Sequence, residues 1–334
     1  MSKESQNHNK KSIFRRIGKG IGIFLLILAG LFLISTIRHQ IKKKTDKKIY
    51  QNAYGETYTT EHGDRLQFTV YDSASEDVAV ILPGFSSAST YYEFHAVAEG
   101  LQDRYKIISV DPLGVGLSDR TDLDRSVENY CEELHGLMQH LGYDRYTLIG
   151  HSIAGVYALY YANHYTDEVT AFLGIDSSVP RQVDEDIWAA KPKNQLMLYT
   201  ILRPLLYESG INRIITELTF DETMAQIPTL TDDDRAKALA MFSSIPLNHT
   251  QMNEMHFFSH NVETCRDMKF PESVPVLYVL SQDNCERMPA WEKLHRELLT
   301  NPDSKMTVIS GSHNLHMTNL QGLLTELKNW DPVS

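Results

Sequence analysis

The sequence predicts an α/β protein, a mostly parallel sheet covered by helices on both faces, carried behind one N-terminal apolar helix. Three observations predict it. Short apolar runs recur from residue 77 to residue 309, with helix-length intervals between most of them. Several of these runs are continuously apolar rather than alternating, as strands buried on both faces are. The segment Gly20 to Ile37, GIGIFLLILAGLFLISTI, holds no charged residue.

The apolar segment comes first. As a helix it is roughly 27 Å long at about 1.5 Å per residue, close to a hydrocarbon core of about 30 Å that flanking Lys and Arg can reach past. A cleaved signal peptide is the competing reading, but its apolar stretch is usually shorter, and no Ala-x-Ala site precedes Arg38. Residues 1–48 are therefore expected to form a basic tail, a single membrane span (about 20–37) and a solvated basic linker. Lys10, Lys11, Arg15, Arg16 and Lys19 precede the span, and Arg38, Lys42, Lys43, Lys44, Lys47 and Lys48 follow it. By positive-inside counting the two sides nearly tie. The short basic tail favours the tail inside and the domain outside the cytoplasm.

Charge is divided along the chain. Residues 1–48 hold twelve Lys or Arg and two acids, whereas the whole chain carries −11, so the remainder is strongly acidic. Such a field repels nucleic acid and other polyanions. Cys131, Cys265 and Cys285 are few and far apart, which argues against a disulfide framework or a zinc site.

Two strands, residues 49–60 and 66–71, are expected around His62-Gly63-Asp64. Apolar runs at 77–82, 105–110, 146–149, 169–175, 276–280 and 305–309 supply six more. Helical patterns fill the intervals at 91–102, 126–141, 153–163, 289–299 and 315–329. One interval breaks the rhythm. About ninety residues, Pro180 to Pro271, separate two strands and read as several helices. An insertion of that length is usually functional. The core is thus expected over 49–179 and 271–334, with a helical unit at 180–270 above the strand ends, where ligands of such sheets bind.

Gly150-His151-Ser152-Ile153-Ala154-Gly155 stands between an apolar run and a helix. A serine on so sharp a turn presents its hydroxyl, and the residues at minus two and plus two must be small. Ser152 needs a base to become nucleophilic, and the base needs an orienting acid. His313, after the glycine turn Gly311-Ser312 at the end of the last strand, is the expected base. His151, on the turn itself, is expected to line the pocket. His316 and His313 lack a further ligand at zinc spacing. Oxyanion stabilisation needs two main-chain donors. They are expected from Ile153 and from Phe85 in the loop Pro83-Gly84-Phe85-Ser86-Ser87, where Gly84 permits close approach and Ser86 stands beside the substrate.

These residues together resemble the α/β-hydrolase family. The resemblance covers residues 49–334 and rests on Pro83-Gly84-Phe85, Asp111-Pro112-Leu113-Gly114-Val115-Gly116-Leu117-Ser118, the serine turn, and Gly311-Ser312-His313, in the family's order. It implies an eight-stranded, mostly parallel sheet, a helical cap between strands six and seven, and a serine, acid, histidine order. The chain departs from the family at the acid. A Gly-x-x-Asp usually follows the seventh strand, but here the stretch reads Ser281-Gln282-Asp283-Asn284. Asn284 holds the expected position and Asp283 comes one residue early. Asp283 is the first choice, reached by a one-residue shift of the loop. Asp176, at the end of the sixth strand, is the alternative.

With serine as nucleophile the resemblance implies acyl transfer to water, with no metal or organic cofactor. The insertion is rich in Leu, Met, Tyr and Phe, which favours an ester with an apolar group. An amide substrate of the proline-releasing peptidase kind is second, with Glu217, Asp221 and Glu222 available to bind a free amine. A catalytically idle, membrane-anchored binding module is the reading of another class.

Overall fold

The computed structural model describes residues 3–224 and 230–331, with side chains from 15 to 222 and from 230 to 331. The basic residues Lys10 and Lys11 of the tail therefore have side chains outside the described residues. Eight strands form one sheet in the order β1-β2-β4-β3-β5-β6-β7-β8. They are β1 (Glu56–Thr59), β2 (Arg65–Tyr71), β3 (Val78–Leu82), β4 (Lys106–Asp111), β5 (Tyr146–His151), β6 (Val169–Ile175), β7 (Val276–Ser281) and β8 (Lys305–Ile309). The pairs β1–β2 and β2–β4 are antiparallel, and every other pair is parallel.

Strand β3 shows why its run is apolar throughout. Val78, Val80 and Leu82 enter one core with the β4 residues Ile108 and Val110. Ala79 and Ile81 enter the other core with Ile107 and Ile149. Both faces are buried because helices cover both. The long helix α1 (Lys3–Tyr50) precedes the sheet, and α2 (Thr90–Leu101), α3 (Val127–Leu141) and α4 (Ala154–His164) lie between its strands. Helix α3 starts at Ser126, whose side chain accepts from Asn129 N–H, and stops at Gly142 in the left-handed conformation, φ 76°.

Between β6 and β7 lie α5 (Pro192–Leu202), a π-helical turn (Arg203–Glu208), α6 (Ile211–Met224), α7 (Asp232–Ser244) and α8 (His249–Thr264). Pro204 lacks an N–H for the α-helical ladder, and the wider turn falls at that place. The chain closes with α9 (Gln282–Arg287), α10 (Trp291–Arg296), α11 (Leu315–Thr318) and α12 (Leu320–Asn329). The single helix expected over 315–329 is broken at Asn319, whose side chain caps α12 by accepting from Gly322 N–H.

Two differences from expectation stand at the amino end. The first strand is confined to residues 56–59 because α1 runs on to Tyr50. Residues 38–48 are accordingly helix, not a solvated linker. His39, Asp46 and Tyr50 are buried there. Arg213 of α6 donates to Asp46 at 2.6 Å and to His39 Nδ1 at 3.0 Å, and Ser244 Oγ donates to Asp46 at 2.7 Å. Tyr50 joins a core cluster with Tyr92, Phe220, Met241 and Ile245. Packing against the insertion overrides the charge of the lysine run, which the helix turns outward.

Candidate active site

Strand β5 delivers Ser152 to the turn before α4, with φ 54°. The small neighbours are required by contact. A Cβ on Gly150 would lie 3.0 Å from Phe172 and 3.2 Å from the Ala154 methyl, and one on Gly155 would lie 2.5 Å from the Ser178 carbonyl oxygen. Ala154 is thus tolerated at plus two, and the glycine is needed one place later, where the chain from β6 passes.

His313 lies between Ser152 and Asp176. Its Nε2 is 2.9 Å from Ser152 Oγ and its Nδ1 is 2.8 Å from Asp176 Oδ2. With Nδ1–H donating to Asp176, Nε2 is free to accept the serine proton. Asp176 is wholly buried and strained, with φ 40°. Its oxygens also accept from Ser281 N–H (2.9 Å), Ser281 Oγ (2.8 Å), Asn284 Nδ2 (2.7 Å) and Trp291 Nε1 (3.0 Å). Burial alone would raise its pKa. The hydrogen bond and charge of His313, with the Ser281 donors, outweigh burial and hold the carboxyl below its usual range.

The aspartate beside His313 is thus Asp176, the alternative acid expected from sequence, and not Asp283, the first choice. Strand β7 passes directly into α9, and the Ser281 side chain caps that helix by accepting from Asn284 N–H at 3.2 Å. The cap fixes Asp283 in the first turn and leaves no loop to shift. Among the described residues, the side chains beside Nδ1 of His313 are those of Asp176 and Asn284, not Asp283. Asn284 Nδ2 is 3.2 Å from that ring nitrogen, but both atoms are donors, so its bond is to Asp176. Sequence reasoning missed this amide's role, and that of Trp291. The signal available was the pairing of an aspartate ending β6 with an asparagine just past β7.

The loop after β3 brings its backbone against the serine. A Cβ on Gly84 would meet His151 Nδ1 at 2.7 Å and Ser152 Cβ at 3.0 Å. Among the described residues, neither Phe85 N–H nor Ile153 N–H has a protein acceptor, and both residues line the cleft above Ser152. Ser86 adopts φ 64°. Ser86, Ser152 and Asp176 are three of the four non-glycine residues with positive φ among the described residues, so backbone strain gathers here. His151 does not contact the serine proton path. Its Nε2–H donates to the His313 carbonyl at 3.1 Å, and burial first, then the neighbouring imidazoles, hold its pKa far below the usual value. His316 stacks on Phe94 at 4.3 Å and is likewise buried, its pKa lowered to about 3.

The cleft holds about 730 Å³ and is walled partly by the insertion, through Trp188, Leu198, Tyr199, Met255 and Phe258. Tyr199 meets Phe85 edge-on at 5.0 Å. Glu217, Asp221 and Glu222 do not line it. Glu217 pairs with Arg38 at 2.7 Å, and among the described residues the acidic side chains that reach the cleft are Glu93 and Glu254. Among the described residues no group of three or more His, Cys, Asp or Glu side chains is arranged to hold a metal ion.

The sequence profile of the alpha/beta hydrolase fold matches residues 78–320. The Bacillus subtilis protein YbdG, of uncharacterised function, is 24% identical over 216 residues, 64% of this chain and 65% of that protein. The 2-(acetamidomethylene)succinate hydrolase of Mesorhizobium japonicum is 29% identical over 112 residues, 34% of this chain and 40% of that enzyme. The chain thus spans less than two thirds of either relative. Among solved structures, Cfl2 from Burkholderia cenocepacia superposes with a TM-score of 0.65 at 20% identity, covering 82% of this chain and 94% of that one.

Proposed function

The chain belongs to the alpha/beta hydrolase fold family, and from that premise we propose that it is a membrane-anchored serine hydrolase cleaving a carboxylic ester with an apolar group. One observation carries the reading: Ser152 Oγ, the His313 ring and the buried Asp176 carboxylate form a continuous hydrogen-bonded line opening into a largely apolar cleft. Ser152 Oγ bonds to the ester carbonyl carbon while its proton passes to His313 Nε2. The oxyanion accepts from Phe85 and Ile153 N–H. As the carbon–oxygen bond to the alcohol breaks, Nε2 returns the proton to the leaving oxygen. Water then gives a proton to Nε2 and attacks the acyl group, and Ser152 recovers its hydrogen as the acid departs. Asp176 balances the imidazolium at each passage.

The line of three residues favours an enzyme over an idle binding module. The amide reading draws on Glu93 and Glu254 instead of the three acids expected from sequence. Burial raises both carboxyls, Glu93 to about 7, so Glu93 is only partly charged at neutral pH and Glu254 is shifted in the same direction, away from the form that would bind an ammonium group. That supports the ester first. We take residues 20–37 of α1, an apolar and largely exposed stretch, as the anchor, and the short basic tail before it supports the tail inside and the domain outside the cytoplasm. A fluorophosphonate probe tests the chemistry. It should label the intact protein and leave Ser152→Ala unlabelled. A folded wild-type protein that takes no label would overturn the reading, and turnover of aminoacyl amides but no ester would move it to the amide.

A further inference from the structure

We infer that the face of α5, the π-helical turn and α6 lies in the surface of the same bilayer that α1 crosses, and that the cleft takes a lipophilic, membrane-dissolved ester. The inference rests on the anchored ester hydrolase proposed above. Among the described residues outside α1, large exposed apolar side chains fall at ten positions. Eight of them lie between Trp188 and Leu218, and six of these, all but Trp188 and Leu198 at the cleft, are on α5, the π-helical turn and α6 away from it. Met197, Ile201 and Leu205 recur at helical spacing on one face, and Ile214, Ile215 and Leu218 do so on α6. Leu218 is 80% exposed. A soluble surface rarely concentrates so much apolar area without a partner.

What covers it follows from where α1 touches the insertion. The uncharged run ends at Ile37. The next residue, Arg38, pairs with Glu217, and a Cβ on Gly210 would lie 2.5 Å from His39 and 3.2 Å from the Ser35 carbonyl. The turn between α5 and α6 is therefore fastened to the last residues of the span. The helix is continuous through this point, and the buried Arg213–Asp46 pair holds it to the insertion. The apolar face stands where hydrocarbon gives way to headgroups, the depth at which helices with such faces rest. Leu198 and Tyr199 of the same α5 line the cleft. One helix thus has one side toward the membrane and the other toward Ser152, a short path for an ester leaving the bilayer.

The test uses the full chain in phosphatidylcholine–phosphatidylglycerol vesicles. Trp188, just before α5 at the rim of the cleft, is 53% exposed, whereas Trp291 and Trp330 are buried, so fluorescence quenched by brominated lipid and lost in Trp188→Phe reports lipid at the end of this face, and its loss in a variant changed only on α6 and the π-helical turn ties it to the face itself. Wild-type Trp188 should be quenched at least twofold, and Leu205→Glu/Leu218→Glu should abolish most of that quenching. The double variant should hydrolyse soluble p-nitrophenyl butyrate within twofold of wild type and vesicle-dissolved p-nitrophenyl palmitate at least tenfold more slowly. Flotation with vesicles at high pH but no Trp188 quenching would overturn the inference alone. Failure to float would remove the anchor with it. Equal rates for variant and wild type on both esters, or equal losses on both, would also overturn it. Quenching does not depend on turnover, so an absence of all esterase activity with quenching intact would remove the ester and keep the bilayer contact.

Discussion

The Asp176 carboxylate lies 2.8 Å from Nδ1 of His313, and the asparagine at the position usual for the family's acid donates to the same oxygen at 2.7 Å. The carboxylate facing His313 thus comes from just past β6, and Asn284 holds it by a hydrogen bond. If this line performs the chemistry, Asp176→Asn should lower kcat by about 10⁴-fold, the order seen when triad aspartates are lost. Asp283→Asn should stay within about twofold. Because Asn284 Nδ2 is 3.2 Å from Nδ1, the exchange Asp176→Asn/Asn284→Asp sets an acceptor beside that nitrogen again and should recover at least about tenfold over Asp176→Asn. Steady-state kinetics on one ester decides. A severe loss in Asp283→Asn with Asp176→Asn active would return the role to Asp283.

Gly84 has no room for a side chain, since a Cβ would press on His151 Nδ1 and Ser152 Cβ at 2.7 and 3.0 Å. Both lie at the turn that aims Phe85 N–H and Ser152 into the cleft. Gly84→Ala should therefore displace one oxyanion donor and cost about 10² to 10³ in kcat, with KM little changed. A rise in KM at constant kcat would instead mark Gly84 as a contact for ground-state substrate.

Most of the sheet was legible in the sequence, because each strand buried on both faces must be apolar throughout and the intervals must return the chain. Ser152 and His313 were legible for a similar reason: a glycine-flanked turn at a strand end has few purposes. The acid was not. Which aspartate faces His313 depends on Ser281 capping a helix, which is a hydrogen bond and not a pattern. The second half of α1 was hidden by its lysines. His39, Asp46 and Tyr50 stand seven and four residues apart, one helical face, and that spacing was the overlooked sign of docking.

Glu93 ties stability to pH. Burial against the cleft raises its carboxyl from 4.5 to about 7. Between those values the folded chain keeps a proton that the unfolded chain has lost. Stability from this group therefore falls as pH rises through about 4.5 to 7 and stays low above it. Glu93→Gln preserves an acceptor for Ala88 N–H, now 2.8 Å away, and removes the titration. Its melting temperature should exceed wild type by about 5 °C at pH 8.5 and match it at pH 4.5. The same difference at both pH values would show that the substitution acts through packing.

The buried pair Arg213–Asp46 fastens the end of α1 to the insertion, with both side chains almost fully enclosed. Removing one partner strands a charge away from water, which costs about 3–5 kcal/mol. Asp46→Ala and Arg213→Ala should each lower the melting temperature of the detergent-solubilised chain. Each should also open the Lys42–Lys48 stretch to trypsin, because the helix can escape the penalty by undocking. Asp46→Leu/Arg213→Met replaces the pair with apolar bulk of similar size and should restore both properties to near wild type. His39 loses its donor in that double variant, but its ring remains packed against Gly210. If the single variants melt and resist trypsin as wild type does, the second half of α1 is not held by this pair, and the contact that docks it must be sought in Tyr50 and its aromatic neighbours.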